Sequence, residues 1–170
     1  CKYAVSSAIT WFFKQEEMGI VLEDDCLPSQ SFFWFCEELL NRYKDDMRIW
    51  HIGGIYLQNG IVRGDGDYFF SKYSHIWGWA SWASRWQFYD VEISNIKDSN
   101  FIRRTFKSKS MQQFWIKNLK KIKENKIDTW DFQWIFTIWS NDGLAILPNA
   151  NLILNIGFGE ESLHTQGESP

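Results

Sequence analysis

Short apolar runs alternate with amphipathic helical segments along this chain. Residues 18–22 and 48–58 show the pattern of buried strands, and residues 2–15 and 31–46 place apolar side chains at helical spacing. A helix between two strands is the connection that parallel strands need. We therefore expect an α/β fold, with a mixed and mostly parallel sheet flanked by helices, in one domain over residues 1–170.

The second half of the chain continues this alternation. The predicted elements are a strand over 68–73, a short aromatic helix over 78–90, a basic helix over 109–126, an aromatic helix over 129–143 and closing strands over 144–148 and 151–159. In the basic helix, Phe114, Leu119 and Ile122 are expected on the apolar side.

Three consecutive acids, Glu23, Asp24 and Asp25, follow the predicted strand over residues 18–22. In extended backbone Glu23 and Asp25 point to one side and Asp24 points to the other. Carboxylates that share a side are hard oxygen ligands, which suit Mg²⁺ or Mn²⁺ carrying a phosphate. The alternative is a solvated turn in which Asp25 caps the local backbone, and the residues alone leave both interpretations open.

Aromatic residues are unusually abundant, with eleven Trp and fourteen Phe among 170 residues. They are densest in SHIWGWASW, residues 74–82, where Gly78 permits a close backbone approach beside Trp77. Such an excess serves core packing, a stacking surface for sugars or bases, or an interface. Core packing is favoured for any single Trp here, and the density favours at least one exposed ring.

Two further residues stand out by their neighbours. Asp131 lies between Trp130 and Trp134, and apolar bulk around a carboxyl raises its pKa and suits a general base. The more common alternative is a carboxylate favoured by the dipole of a helix N-terminus. His164, in the glycine-rich segment 157–165, could reach a metal or a phosphate, although a lone loop His is more often solvated.

Bulk charge and cysteine content exclude some classes of protein. The net charge of −3 and the pI near 5.6 argue against a nucleic-acid partner. The three cysteines contain no C-x-x-C pair, which argues against a disulfide framework and favours a reducing, cytoplasmic compartment.

The basic segment over residues 103–126 stands apart from the acidic remainder of the chain. It has nine basic residues and one acidic residue, a net charge of +8. A solvated helix face is the favoured interpretation. The alternative is peripheral contact with an anionic membrane, or recognition of an anionic acceptor.

Four stretches, taken in order, resemble one enzyme family. They are GIVLEDDCLPSQSFFWFCEELL, SHIWGWASWASRWQFYD, DTWDFQWIF and NLILNIGFGEESLHT, and together the resemblance covers roughly residues 1–166. They look like bacterial nucleotide-diphospho-sugar transferases of the GT-A fold. At the level of motif order, that family is similar to the Golgi transferases that add the first antennal N-acetylglucosamine to N-glycans.

The resemblance implies a donor site at the acidic triplet. Asp25 would bind Mn²⁺ or Mg²⁺, which bridges the diphosphate of a nucleotide-sugar donor such as a UDP-sugar. Glu23 and Asp24 would hydrogen-bond the sugar or the ribose of that donor. His164 would match a C-terminal loop His near the diphosphate and the metal.

The resemblance also implies an acceptor site. Asp131 would match the acid that acts as catalytic base on a hydroxyl of a glycan or lipid-linked acceptor, with inversion at the anomeric carbon. Trp77 and Gly78 would line the acceptor and donor pocket.

One part of the family pattern is missing from the sequence. The family binds the nucleotide base on an N-terminal β-α-β unit, and only the last helix of that unit corresponds to residues 2–15. We therefore expect a partial GT-A domain that lacks this unit. The alternatives are a non-catalytic carbohydrate-binding domain that uses a Trp-rich surface, an inactive fragment of a transferase, and a metal-dependent phosphodiesterase or nuclease that uses the three acids.

Overall fold

The computed structural model of the chain describes residues 1–157. Within this range the helices are α1 Lys2–Gln15, α2 Gln30–Tyr43, α3 Ala83–Trp86, α4 Asn100–Thr105, α5 Lys109–Lys123 and α6 Asp131–Ser140. The strands are β1 Met18–Val21, β2 Cys26–Pro28, β3 Ile49–Gly53, β4 Tyr68–Ser71, β5 Trp79–Trp82, β6 Leu144–Pro148 and β7 Ile153–Asn155. The fold is therefore mixed α/β, as expected.

Five strands form the main sheet, in the order β1-β5-β3-β6-β4, and β2 pairs with β7 in a separate antiparallel ribbon. Only β3 and β6 pair in parallel, and the other three pairs are antiparallel. The prediction of a mostly parallel sheet is therefore wrong. Strands β4 and β5 both run opposite to β3 and β6. The loop 54–67, which contains no crossover helix, reverses the chain between β3 and β4, and the connection 72–78 then leads into β5 in the same direction as β4.

The segment over residues 78–90, predicted as one helix, is instead a strand followed by a single helical turn. Strand β5 lies between β1 and β3, and all four of its residues are buried. A short aromatic run that is buried on both faces carries no periodicity that separates a strand from a helix. Backbone pairing with both β1 and β3 shows that residues 79–82 form a strand, and the turn α3 follows it.

The sheet separates two clusters of buried apolar side chains. Successive residues of β5 point to opposite faces, so Trp79 packs with residues of α1, α5 and α6, and Ala80 packs with residues of α2. Most of the aromatic excess lies in these clusters. The buried Trp residues, eight of the eleven, are Trp50, Trp79, Trp82, Trp86, Trp115, Trp130, Trp134 and Trp139.

Helix α5 packs on the core with a face shifted from the predicted one. Leu119 and Ile122 are buried as expected, together with Trp115. Phe114, predicted on the same side, is 53% exposed, because it lies one residue from Trp115 and therefore points about 100° away. Across residues 1–157, no helix has the length and apolar character needed to cross a bilayer.

Candidate functional site

The acidic triplet forms the turn between β1 and β2. The backbone N–H of Cys26 donates to the carbonyl oxygen of Glu23 at 3.1 Å, which closes the turn. The N–H of Ile156 donates to the carbonyl oxygen of Asp25 at 2.8 Å and ties the turn to the end of β7. The acids are therefore held by backbone hydrogen bonds from two different parts of the chain.

Within this turn, the three carboxylates divide as the sequence predicts. Glu23 and Asp25 are half-buried and Asp24 is exposed. Potential ligand atoms of Glu23, Asp25 and Cys26 all lie within 4.8 Å of one another. This spacing would allow a single cation to contact more than one of these side chains.

Repulsion between acids is visible at Glu23. Burial raises the pKa of Glu23 to about 7, and the negative charges of Asp25, Asp131 and Asp24 add to the shift. A divalent cation beside these groups would offset both the burial and the repulsion. Asp131, distant in sequence, therefore lies within electrostatic range of the triplet.

Cys26 adds a sulfur atom to the group of potential metal ligands that the sequence suggests. Its Sγ donates to Asp25 Oδ1 at 3.5 Å, and burial raises the pKa of the Cys26 thiol to about 12. A thiol is a soft ligand, and hard cations such as Mg²⁺ and Mn²⁺ prefer oxygen ligands to sulfur. The carboxylates of Glu23 and Asp25 remain, and these oxygen ligands fit Mg²⁺ or Mn²⁺.

Asp131 is the first residue of α6. It is both a carboxyl group surrounded by apolar bulk and a carboxylate at a helix N-terminus, the two interpretations that the sequence offers. Burial raises the pKa of Asp131, while hydrogen bonds from backbone N–H groups at the helix N-terminus oppose that shift. Burial has the larger effect. The hydroxyl of Thr129 donates to Asp131 Oδ1 and fixes the orientation of the carboxyl group. A held carboxyl with a raised pKa is suited to accept a proton.

A cleft of about 330 Å³ brings Asp131 and Trp77 together. Trp115, Trp139 and Tyr73 also contribute to its wall, so the cleft is largely apolar and aromatic. Sequence reasoning missed these three residues, because they lie on separate elements and outside the clusters that looked chemical. The aromatic wall and the single carboxylate could hold the apolar face of a sugar ring and one of its hydroxyls.

Two polar atoms in this wall lack a hydrogen-bond partner within residues 1–157. They are Ser74 Oγ and Trp115 Nε1, and both residues line the cleft. A buried polar atom without a partner costs about 1–3 kcal/mol.

Gly78, expected to line the pocket with Trp77, is not among the residues that line this cleft. It adopts φ +68°, and a Cβ built on it would lie 2.5 Å from Ile153 Cδ1. The N–H of Gly54 donates to its carbonyl oxygen at 2.9 Å. Glycine is therefore needed at position 78, because Ile153 leaves no space for a Cβ. His164, the remaining predicted site residue, lies outside the described residues.

A buried histidine anchors the segment that carries Trp77. Trp134 Nε1 donates to His51 Nδ1 at 3.2 Å, so His51 Nε2 carries the proton and donates to the carbonyl oxygen of His75 at 3.0 Å. Burial lowers the pKa of His51 to about 3. His51 is therefore a neutral, structural residue beneath the cleft, and it is not a metal ligand.

A larger cleft, of about 500 Å³, lies near the other end of α6, beside Asn141. Its acids already have local partners: Asp90 accepts from the backbone N–H of Glu92, and Asp98 accepts from that of Asn100. The predicted site residues lie elsewhere. The smaller cleft at Asp131 is therefore the better candidate for chemistry.

Comparison with known proteins adds no family assignment. No protein-family model matches the chain, and no curated protein matches it either. The candidate site therefore rests on the geometry and electrostatics of its residues.

Proposed function

We propose that this chain is part of a metal-dependent glycosyltransferase of the GT-A type, which moves a sugar from a nucleotide-diphosphate donor to a hydroxyl of a glycan or lipid-linked acceptor. One observation carries the proposal. The acidic turn after β1 and Asp131 at the start of α6 lie close enough for the charge of Asp131 to raise the pKa of Glu23. A donor site and an acceptor base must be neighbours for transfer to occur.

The acidic turn would hold the donor. Asp25 and Glu23 would bind Mn²⁺ or Mg²⁺, with phosphate oxygens of a UDP-sugar completing the coordination. The bound metal would neutralise the charge that develops on the diphosphate leaving group. Asp24 is exposed at the same turn, and it would reach the ribose or the sugar of the donor.

The cleft would hold the acceptor. Trp77 offers an aromatic wall for the acceptor ring, and Asp131 offers the base. The acceptor oxygen would attack the anomeric carbon as its proton passes to Asp131. The bond from that carbon to the diphosphate breaks, and the electron pair leaves with the diphosphate. Attack from the face opposite the leaving group inverts the anomeric carbon.

Turnover tests the role of Asp131. The measurement is UDP release from a panel of UDP-sugars, with Mn²⁺ and a set of glycan acceptors. We expect Asp131→Asn to lower kcat by roughly 100-fold or more, because the amide cannot take the proton. Asp128→Asn is the control, since Asp128 is exposed and is not among the residues that line the cleft. Equal turnover in the unmodified protein and Asp131→Asn would show that Asp131 is not the catalytic base.

A non-catalytic carbohydrate-binding domain is the second candidate. The apolar, aromatic cleft beside Trp77 favours it, because sugar-binding sites use such walls. It makes a different prediction, namely sugar binding that requires neither Mn²⁺ nor UDP. It also leaves the neighbouring acids Glu23 and Asp25 without a role.

A further inference from the structure

The basic segment over residues 103–126 has no role in the proposed chemistry. It spans part of α4, the connection after it and α5, and it carries a net charge of +8 in a chain of net charge −3. The positive charge of the protein is therefore concentrated on one part of the fold.

Several of these basic side chains are not neutralised by the protein. Lys120 and Lys126 pair with Glu124, and Arg104 pairs with Asp142. The basic residues of the segment that form no ion pair within the described part of the chain are Arg103, Lys107, Lys109, Lys117, Lys121 and Lys123. Of these, Lys123 donates to the carbonyl oxygen of Ile96. The others remain free to meet an external anion.

The outer face of α5 combines this charge with an exposed aromatic ring. Phe114 is 53% exposed, and Lys117 and Lys121 follow it at i+3 and i+7, on the same face. Trp115 and Leu119, which point about 100° and 140° away from Phe114, pack in the core. Phe114 and Lys117 are exposed and Lys121 is half-buried, so this face borders the core face and is open to an external partner.

We propose that this outer face of α5 docks the protein on an anionic lipid bilayer. Basic side chains gain roughly 1 kcal/mol each near an anionic membrane surface. Phe114 would insert at the boundary between headgroups and acyl chains, as aromatic side chains of interfacial helices do. A bilayer is favoured over a soluble polyanion because it supplies both the negative charge and an apolar phase for Phe114.

The docking face adjoins the candidate acceptor cleft. The ring centroids of Phe114 and Trp115 are 5.1 Å apart, and Trp115 lines the cleft that contains Asp131. If the proposed transfer is correct, docking would favour acceptors carried by the membrane, such as lipid-linked glycans. This last step rests on the proposed function, and the docking itself does not.

Vesicle co-sedimentation tests the docking without any assay of activity. The protein is mixed with phosphatidylcholine vesicles containing either no phosphatidylglycerol or a fixed fraction of it, at low and high NaCl. We expect binding to the anionic vesicles only, and weaker binding at high salt. Lys117→Gln/Lys121→Gln should weaken binding roughly 25-fold, at about 5-fold for each lysine. Lys14→Gln/Lys44→Gln, in α1 and directly after α2, is the matched control and should bind like the unmodified protein.

A second pair of variants tests how much the exposed ring of Phe114 contributes to vesicle binding. Phe114→Ala should weaken vesicle binding several-fold, while Trp34→Ala, which removes a 61% exposed aromatic ring from α2, should not. Circular dichroism checks that each variant is folded. Equal binding to neutral and anionic vesicles would overturn the proposal, and so would no vesicle binding or unchanged binding by the lysine variant. Binding to soluble heparin but not to vesicles would assign the surface to a polyanion and overturn it as well.

Discussion

Gly157 leaves no room for a side chain beside Asp25. A Cβ built on Gly157 would overlap Asp25 Oδ2 and lie 3.0 Å from Asp25 Cγ. The neighbouring residue holds the same acid, because the N–H of Ile156 donates to the carbonyl oxygen of Asp25. The position of the Asp25 carboxylate therefore depends on the chain that follows β7.

Gly157→Ala should weaken Mn²⁺-dependent UDP binding, because the added methyl group displaces the Asp25 carboxylate. We expect a loss of roughly 10-fold or more, the usual effect of disturbing the support of a metal ligand. Isothermal titration calorimetry measures it. Gly66→Ala is the control, since a Cβ there would meet only the carbonyl oxygen of Tyr68 at 3.8 Å. Equal affinities in the two variants would mean that Asp25 is not a ligand.

Gly78→Ala should destabilise the fold more than Gly64→Ala. Both glycines have positive φ, +68° and +74°, so both substitutions carry the left-handed backbone cost of roughly 1–2 kcal/mol. Only at Gly78 does the new Cβ collide with Ile153, which adds roughly 1–3 kcal/mol. Urea unfolding followed by tryptophan fluorescence gives the two free energies of unfolding. Equal values would contradict the packing described at Gly78.

His51 should make the free energy of unfolding fall as the pH drops. The unfolded chain protonates His51 near pH 6.5, whereas burial holds the folded pKa at about 3. Between these values only the unfolded state takes the proton, so acidification favours unfolding by about 1.4 kcal/mol per pH unit. His51→Gln removes this contribution. Urea unfolding at pH 4.5, 5.5 and 6.5 should give a flatter pH dependence for the variant, and parallel curves would contradict a buried neutral His51.

The sequence predicts most helices of this fold, because their apolar periodicity is strong. The predicted α1 spans the observed residues Lys2–Gln15, and α2 and α5 differ from their predictions only at the ends and in the place of Phe114. Strand β5 was missed because its burial comes from strands and helices distant in sequence. The direction of β4 and β5 likewise depends on loops that carry no directional pattern.

The candidate site could be predicted only in pieces. The alternation of Glu23, Asp24 and Asp25 follows from extended backbone, and the structure agrees in their burial. The proximity of Asp131 to Glu23 is a property of the tertiary fold, because no local pattern links α6 to the turn after β1. Cys26 has no C-x-x-C partner, so cysteine spacing predicts neither a disulfide nor a zinc site there and gives no hint of its contact with the acidic turn. Its position next to Asp25 was the available signal.

The most direct measurement is calorimetric titration of the protein with UDP, with and without Mn²⁺, in the unmodified protein and in Asp25→Asn. The account predicts UDP binding that requires Mn²⁺ and that weakens roughly 100-fold in Asp25→Asn, because a ligand carboxylate is lost. Asp65→Asn, an exposed loop acid, should bind like the unmodified protein. UDP binding without Mn²⁺, unchanged binding in Asp25→Asn, or no UDP binding by the folded protein would contradict the proposed donor site.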